Sequence, residues 1–407
     1  MLETKSSKFL VVISIVFILI SLSIGYYSFL EWDEGSFLLN ARNIYGEGVN
    51  FEPSRPMLIS ILVSLLWEVT GESVFGARLI STAFGLASLF VFYLICRKKF
   101  DEPLLPTAVF GLSPLFFFWS SQVMTDVPGL LFILLSYYLY TEERDLLVGI
   151  SMGLAVTFRY TYAIFALPFL VSYMMDRSEK TGLLKYASGG ILGSLPFFAF
   201  SYLWYGGLFD KAVLYTTNVA EWSGSGLFAS TVPNFEKLFH VSVAFLPGIL
   251  IGWKDSKLVE KLMVTIHPIL TVLFIGMSFY RYWLPITPFL IVIAYQKVDK
   301  KKFMAMSIVF VAITGFYVHS EYQERIYCNE EFMEGLEFLS EREGGVISDR
   351  WSIAGYKLDQ KVSSPYKDYE EFKDENMEYI FTDRDLDYPV VETFQGETCA
   401  YIVYRLE

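Results

Sequence analysis

The chain has 407 residues, of which 54% are hydrophobic, 18% aromatic and only 19% charged. Soluble domains carry about 25% charged and about 45–50% apolar residues, so a mean hydropathy of +0.42 excludes an ordinary cytoplasmic enzyme and a disordered chain. Three Cys exclude a disulfide-stapled mini-protein. The charge is also divided. From Glu321 onward there are 9 basic and 22 acidic residues, net −13; the remainder has 23 basic and 22 acidic, net +1. This split implies two solvents: lipid for residues 1–320, and water for an acidic domain at 321–407. The acidic balance excludes nucleic acid as a partner, because phosphate binding needs clustered cations.

In chain order, the first element is the charge-free run Phe9–Leu30, 22 residues long. As a helix it spans about 33 Å, enough to cross a bilayer. It is longer than a signal-peptide core and lacks a small-residue cleavage site, so it is expected to stay as a permanent span. A long loop, 31–73, follows, and its apolar stretch Pro56–Val69 is expected to lie on the membrane as an interfacial helix. Basic clusters at Arg97-Lys98-Lys99, Arg177/Lys180/Lys185, Lys254/Lys257/Lys261 and Lys297/Lys300/Lys301/Lys302 mark the cytoplasmic side. Each block between clusters must then cross an even number of times. Leu104–Tyr140, 37 residues with Asp126 as its one charge, reads as a hairpin with Asp126-Val127-Pro128-Gly129 at its outer tip. A carboxylate there avoids the midplane cost of about 2.5–3.5 kcal/mol. Leu146–Met175, interrupted by Arg159, reads the same way. The run between Ser73 and Arg97, which returns from the loop to the cytoplasmic side, with Tyr186–Phe209, Leu238–Trp253, Leu262–Tyr280, Tyr282–Tyr295 and Phe303–Val318, completes about eleven spans. The expected fold is thus an α-helical polytopic membrane protein in the cell membrane with a small C-terminal extracytoplasmic α/β domain. In that domain Gly345–Ser348, Tyr379–Thr382 and Ala400–Tyr404 read as strands, and Phe332–Arg342 and Tyr366–Asn376 as helices. Cys328 and Cys399 fall there; a disulfide and two free thiols are both open. Cys96 reads as apolar filling.

The informative charges gather at one face: Glu31-Trp32-Asp33-Glu34 after the first span, Phe51-Glu52-Pro53-Ser54-Arg55-Pro56 in the loop, Thr125-Asp126 at the hairpin tip, and Tyr280-Arg281-Tyr282-Trp283-Leu284-Pro285 between two spans. Each alone reads as a solvated helix end. Their common side is harder to explain that way. Arg159 reads as a further outer-face contact or as the cap of a short hairpin, the cap being favoured.

These pieces resemble a family. Asp33-Glu34, Arg55-Pro56-Met57-Leu58, Val74-Phe75-Gly76-Ala77-Arg78-Leu79, Arg97-Lys98-Lys99-Phe100, Ser113-Pro114, Thr125-Asp126 and Arg281-Tyr282 with Leu284-Pro285 are similar to motifs of GT-C fold, polyprenyl-phosphate-sugar-dependent membrane glycosyltransferases. Protein O-mannosyltransferases and lipid A aminoarabinose transferases are the nearest kinds. Met57 and Arg55 depart from the family, which has Pro and commonly Lys at those places. The resemblance implies transfer of a sugar, with inversion, from dolichyl or undecaprenyl phosphate to an acceptor hydroxyl on the external face, in a hexosyl- or pentosyltransferase of mannosyltransferase type. The acceptor would be a glycan, lipid or protein. Asp33 would be the base, with Glu34 and Asp126 positioning acceptor or sugar. Arg55 and Arg281, and more weakly Arg78, would hold the lipid phosphate. A divalent metal shared by Asp33 and Asp126 is an expectation taken from the related oligosaccharyltransferases; the scattered His240, His267 and His319 form no ligand motif, and His267 reads as a packed polar residue. The alternative is a transporter of a lipid or small solute, which would favour midplane charges and inverted repeats.

Overall fold

The computed structural model describes residues 2–46, 48–52, 54–175, 180–213, 231–274, 278–325, 329–364, 377–396 and 399–406. It divides into two compact units. One comprises Met1–Tyr26 and Arg78–Glu321, and the other Tyr27–Ala77 and Tyr322–Glu407. The loop counted in sequence with the membrane part therefore packs with the C-terminal tail.

The first unit is helical. Its elements are α1 (Leu2–Tyr27), α4 (Val74–Lys99), α5 (Leu104–Gly111), α6 (Pro114–Ser120), α7 (Asp126–Thr141), α8 (Asp145–Phe158), α9 (Ala166–Met175), α10 (Lys180–Gly193), α11 (Leu195–Tyr205), α12 (Thr231–Ser242), α13 (Leu246–Gly252), α14 (Leu258–Phe274), α15 (Thr287–Tyr295) and α16 (Lys300–Arg325). Among the described residues five helical stretches are long and apolar enough to cross a membrane: Lys8–Tyr27, Val74–Lys99, Thr181–Tyr205, Thr231–Asp255 and Lys300–Gln323. Leu184, Leu203, Leu250 and Phe316 on them are more than two-thirds exposed, as lipid-facing side chains are. The remaining apolar helices are shorter. The two hairpins read in the sequence are broken at identifiable residues. Ser113-Pro114 ends α5 and starts α6, with Pro114 in the first turn where its missing N–H costs nothing. Asp126 is the first residue of α7 rather than the tip of a turn.

Helices α8 and α10 meet through glycines. A Cβ on Gly149 would come within 2.0 Å of the Tyr186 carbonyl, and one on Gly193 within 2.1 Å of the Ile150 carbonyl. Small residues four apart on both helices let the backbones touch, the usual means of helix association in lipid. One end of this unit carries a buried charge network. Glu260 is fully buried and accepts from Lys99 Nζ, Tyr137 Oη and the Lys257 N–H at 3.1 Å. It ties the ends of α4 and α7 to the start of α14. Lys98 pairs with Glu142 at the same end. Along α4, Arg78 and Lys99 are separated by about 32 Å, so Arg78 and the Arg97-Lys98-Lys99 cluster occupy opposite ends of that helix.

The second unit holds α2 (Trp32–Tyr45), α3 (Leu58–Thr70), α17 (Asn329–Ser340), α18 (Trp351–Lys357) and five strands: β1 (Gly345–Ser348), β2 (Val362–Ser363), β3 (Met377–Thr382), β4 (Val390–Gln395) and β5 (Ala400–Arg405). The sheet order is β2-β1-β3-β5-β4. β1 pairs in parallel with β2 and β3, whereas β5 runs antiparallel to β3 and β4. All four residues of β1 are buried, as expected of a central strand, and β4 is the exposed edge. Phe332, Leu336, Val346, Ile353, Phe381 and Val403 form the core, and Leu30 from the segment after α1 packs on it. Gly335 leaves room for the Phe381 ring, which a Cβ would approach to 2.2 Å. The strands expected at Gly345, Tyr379 and Ala400 are present; the helix expected over Tyr366–Asn376 lies outside the described residues. Cys399 is disulfide-bonded, Cys96 is free and buried, and Cys328 lies outside the described residues.

Removing one partner of a buried ion pair leaves an uncompensated charge, at a cost of about 3–5 kcal/mol. Lys99→Ala is therefore expected to lower the unfolding temperature in detergent clearly. Lys98→Ala, at a half-exposed pair, is expected to change it little. Equal shifts in a thermal melt would contradict the assignment of Glu260 as the anchor.

Candidate active site

In the second unit, α2 supplies two acids from its first turn, Asp33 and Glu34, where the positive end of the helix favours carboxylates. Both are buried, Glu34 completely. Arg55 Nη2 pairs with Asp33 Oδ1 at 2.7 Å, and its guanidinium lies 5.0 Å from the centre of the Trp32 ring. Trp32 in turn meets Trp351 edge to face at 6.1 Å.

The helix bearing these acids rests on α18 of the tail. Ser352 Oγ donates to the Trp32 carbonyl at 2.6 Å. A Cβ on Gly35 would meet Ile353 at 2.9 Å, and one on Gly355 would meet Leu39 at 3.0 Å, so two glycines let the helices close. Arg42, at the other end of α2, donates to the Tyr356 carbonyl at 2.9 Å and pairs with Asp359. The tail is thus the bed on which Asp33 and Glu34 are laid.

In the first unit, Asp126 opens α7 and is fully buried. Arg159, where α8 ends, donates to Asp126 Oδ2 at 2.9 Å. Asp126 Oδ1 accepts no hydrogen bond among the described residues, which leaves a buried carboxylate oxygen free to receive a donor. Tyr162 Oη donates to the Asp126 carbonyl at 3.1 Å. Its ring lies where a Cβ on Gly129 would come within 2.6 Å. Arg281 sits in the 3-10 turn Tyr280–Ile286 and is buried. The Arg159 and Arg281 guanidinium carbons lie 5.5 and 5.7 Å from the centre of the Tyr282 ring, so two cations share one aromatic ring beside one acid. The start of the Arg281 turn is held by Glu321, whose Oε2 accepts from the Tyr280 N–H at 3.0 Å and from Lys237 at 2.9 Å.

The structure thus brings Asp33 to Arg55 and Asp126 to an arginine near Arg281. Arg78 donates to the Gly25 carbonyl at 2.7 Å and to Gln122 Oε1 at 3.2 Å, bracing α1 against α4. Arg159, read in sequence as a hairpin cap, is both that cap and the partner of Asp126. Its signal was present as a lone arginine in an apolar run, which needs a counter-ion when buried. His267 is packed, as expected, stacked on Phe165 at 4.5 Å and edge-on to Trp283 at 6.0 Å. For a divalent cation the donor set is a poor fit. Asp33 and Asp126 each already carry an arginine, and among the described residues no group of three His, Cys, Asp or Glu could hold a metal.

Residues 54–204 match the family model described as dolichyl-phosphate-mannose-protein mannosyltransferase. Among curated protein sequences nothing matches the chain. Among solved structures the chain is similar to ArnT from Cupriavidus metallidurans bound to undecaprenyl phosphate, with 12% identity, 98% of each chain covered and a TM-score of 0.67. The apo form of that protein matches at 11% identity and a TM-score of 0.64, over 99% of this chain and 98% of that one. The oligosaccharyltransferase AglB from Archaeoglobus fulgidus, in complex with an inhibitory peptide and a dolichol-phosphate, matches at 12% identity and a TM-score of 0.57, over 92% of this chain and 69% of that one. The chain has the GT-C fold of membrane glycosyltransferases, as the sequence motifs implied, with the small C-terminal sheet domain included.

If Arg159 exists to compensate Asp126, the two must be coupled. Arg159→Ala is expected to destabilise strongly, and adding Asp126→Ala to recover part of the loss. The check is a double-mutant cycle of unfolding temperature in detergent, and simple additivity would contradict the pairing.

Proposed function

We infer that the chain is an integral membrane glycosyltransferase that moves a sugar from a polyprenyl phosphate to an acceptor hydroxyl on the external face. The observation that carries the reading is the pairing of buried helix-start acids with half-buried arginines, Asp33 with Arg55 and Asp126 with Arg159, on a fold whose solved examples hold undecaprenyl phosphate or dolichol-phosphate. The match to a dolichyl-phosphate-mannose transferase model supports a mannosyltransferase-like hexosyl or pentosyl transfer.

Polyprenyl phosphate is a good leaving group, so the chemistry needs a base and cations more than it needs an acid. The acceptor hydroxyl gives its proton to Asp33 as its oxygen bonds to the anomeric carbon. The bond from that carbon to the phosphate oxygen breaks, and its electron pair leaves with the polyprenyl phosphate. A single displacement inverts the anomeric carbon. Charge grows on the leaving oxygen, where guanidinium groups stabilise the oxocarbenium-like transition state more than the ground state. Arg55 and Arg281 take that part. Glu34 and Asp126 position the hydroxyls of sugar or acceptor, with the open Oδ1 of Asp126 as the accepting atom. Arg159 holds Asp126 in place. Arg78 is left as a brace. No step is routed through a metal.

The acidic tail is placed outside the cytoplasm in this reading. The supports are the disulfide at Cys399, which suits an oxidising compartment, and the basic clusters that mark the cytoplasmic side. Protease added to intact spheroplasts is expected to digest the tail; protection until lysis would contradict the orientation.

In proteoliposomes, Asp33→Asn is expected to reduce sugar transfer by about 10³-fold or more, the scale of losing a general base together with its ion pair, while protein yield and donor binding persist. Arg281→Ala is expected to weaken donor binding instead. Full transfer by purified Asp33→Asn would remove Asp33 as the base.

A further inference from the structure

Asn40 lies on α2 seven residues after Asp33, two turns on and therefore on the same helix face. It is completely buried, and a buried primary amide must find partners for its donors and acceptor. It finds them on both sides of Arg55. Asn40 Nδ2 donates to the Glu52 carbonyl at 2.9 Å, and Asn40 Oδ1 accepts from the Glu52 N–H at 2.7 Å. The side-chain amide thus pairs with the Glu52 main chain as a neighbouring strand would. Its nitrogen also contacts Met57 Sδ at 3.6 Å. Glu52 passes the constraint on. Its carboxylate accepts from the Ser54 N–H at 3.2 Å and from Ser54 Oγ, and Ser54 is the residue before Arg55. A second asparagine holds the start of the same loop to the tail. Asn50 Nδ2 donates to the Gly355 and Gln360 carbonyls at 3.2 and 2.8 Å, and Asn50 Oδ1 accepts from the Val362 N–H at 2.8 Å.

We propose that Asn40 is a positioning residue for the lipid-phosphate cation: by clamping the loop at Glu52 and Met57 it sets the guanidinium of Arg55 against Asp33. The helix that carries the acid also carries the clamp for the base's cationic partner, so the spacing between them is fixed by one rigid element. A loop arginine left to itself would sample many rotamers, and its long side chain would lose that freedom at each binding event. Asn40 removes most of that cost beforehand. The inference rests on the reading of Arg55 as a contact to the polyprenyl phosphate.

The test is a double-mutant cycle on the full-length purified chain in nanodiscs. The probes are undecaprenyl phosphate and dolichyl phosphate, with unphosphorylated undecaprenol as the control. Arg55→Ala is expected to weaken binding of the phosphorylated lipid by about 10–100-fold, the scale of losing a charge-assisted hydrogen bond. Asn40→Ala is expected to weaken it by about 5–50-fold on the same scale, with no change for undecaprenol. The double variant is expected to bind no worse than Arg55→Ala alone, because Asn40 acts only through Arg55. Losses that multiply, an equal loss for undecaprenol, or wild-type binding by Asn40→Ala would overturn the proposal. Wild-type binding by Arg55→Ala would instead overturn the role of Arg55, and this inference with it. If Asn40→Ala does not fold, Asn40→Ser takes its place in the cycle and is read the same way.

Discussion

A charge buried among apolar helices must be answered by another, and that requirement recurs at Asp33 and at Asp126. Asp33 is met by Arg55 at 2.7 Å and Asp126 by Arg159 at 2.9 Å. Each acid opens a helix, where the backbone dipole favours it. Each arginine comes from a break in regular structure, where a long side chain can be aimed. Break either pair, and a full charge stays in a poorly polarisable interior. The local folds around them, with Gly129 beside Tyr162 and Gly35 beside Ile353, are shaped to let these partners approach.

The same constraint explains what was legible in the sequence. Phe9–Leu30 and the runs ending at Arg97-Lys98-Lys99 are visible because lipid demands long charge-free helices. Asp33, Asp126 and Arg281 stand out because few charges survive in such runs. The strands at Gly345, Tyr379 and Ala400 show through their apolar β-formers. Other features carry little or no local signature. Short helices such as α5 and α6 sit inside one apolar block, and periodicity cannot separate two broken helices from one span. Arg159 stands as a lone charge in its apolar run, but its partner is 33 residues away and no local pattern announces a long-range ion pair. Asn40 left no signal at all, because an amide in a helix reads as solvent-facing until the chain it clamps is known.

The tail gains a meaning that its composition did not suggest. A net charge of −13 from Glu321 onward reads as solubility. Yet α18 and β2 of that domain hold α2 and the loop before Arg55, through Ser352, Gly355 and Val362. The domain is part of the support of Asp33 and Glu34.

Cells lacking the protein report on the sugar transfer without any assumption about the sugar. Mass spectrometry of lipid-linked sugars and surface glycans, compared with the parent strain, is the direct measurement. One polyprenyl-phosphate sugar is expected to accumulate and one class of glycan, glycolipid or glycoprotein to lose that same residue, with both reversed by the wild-type chain. Unchanged lipid-linked sugars together with unchanged glycans would contradict the transfer.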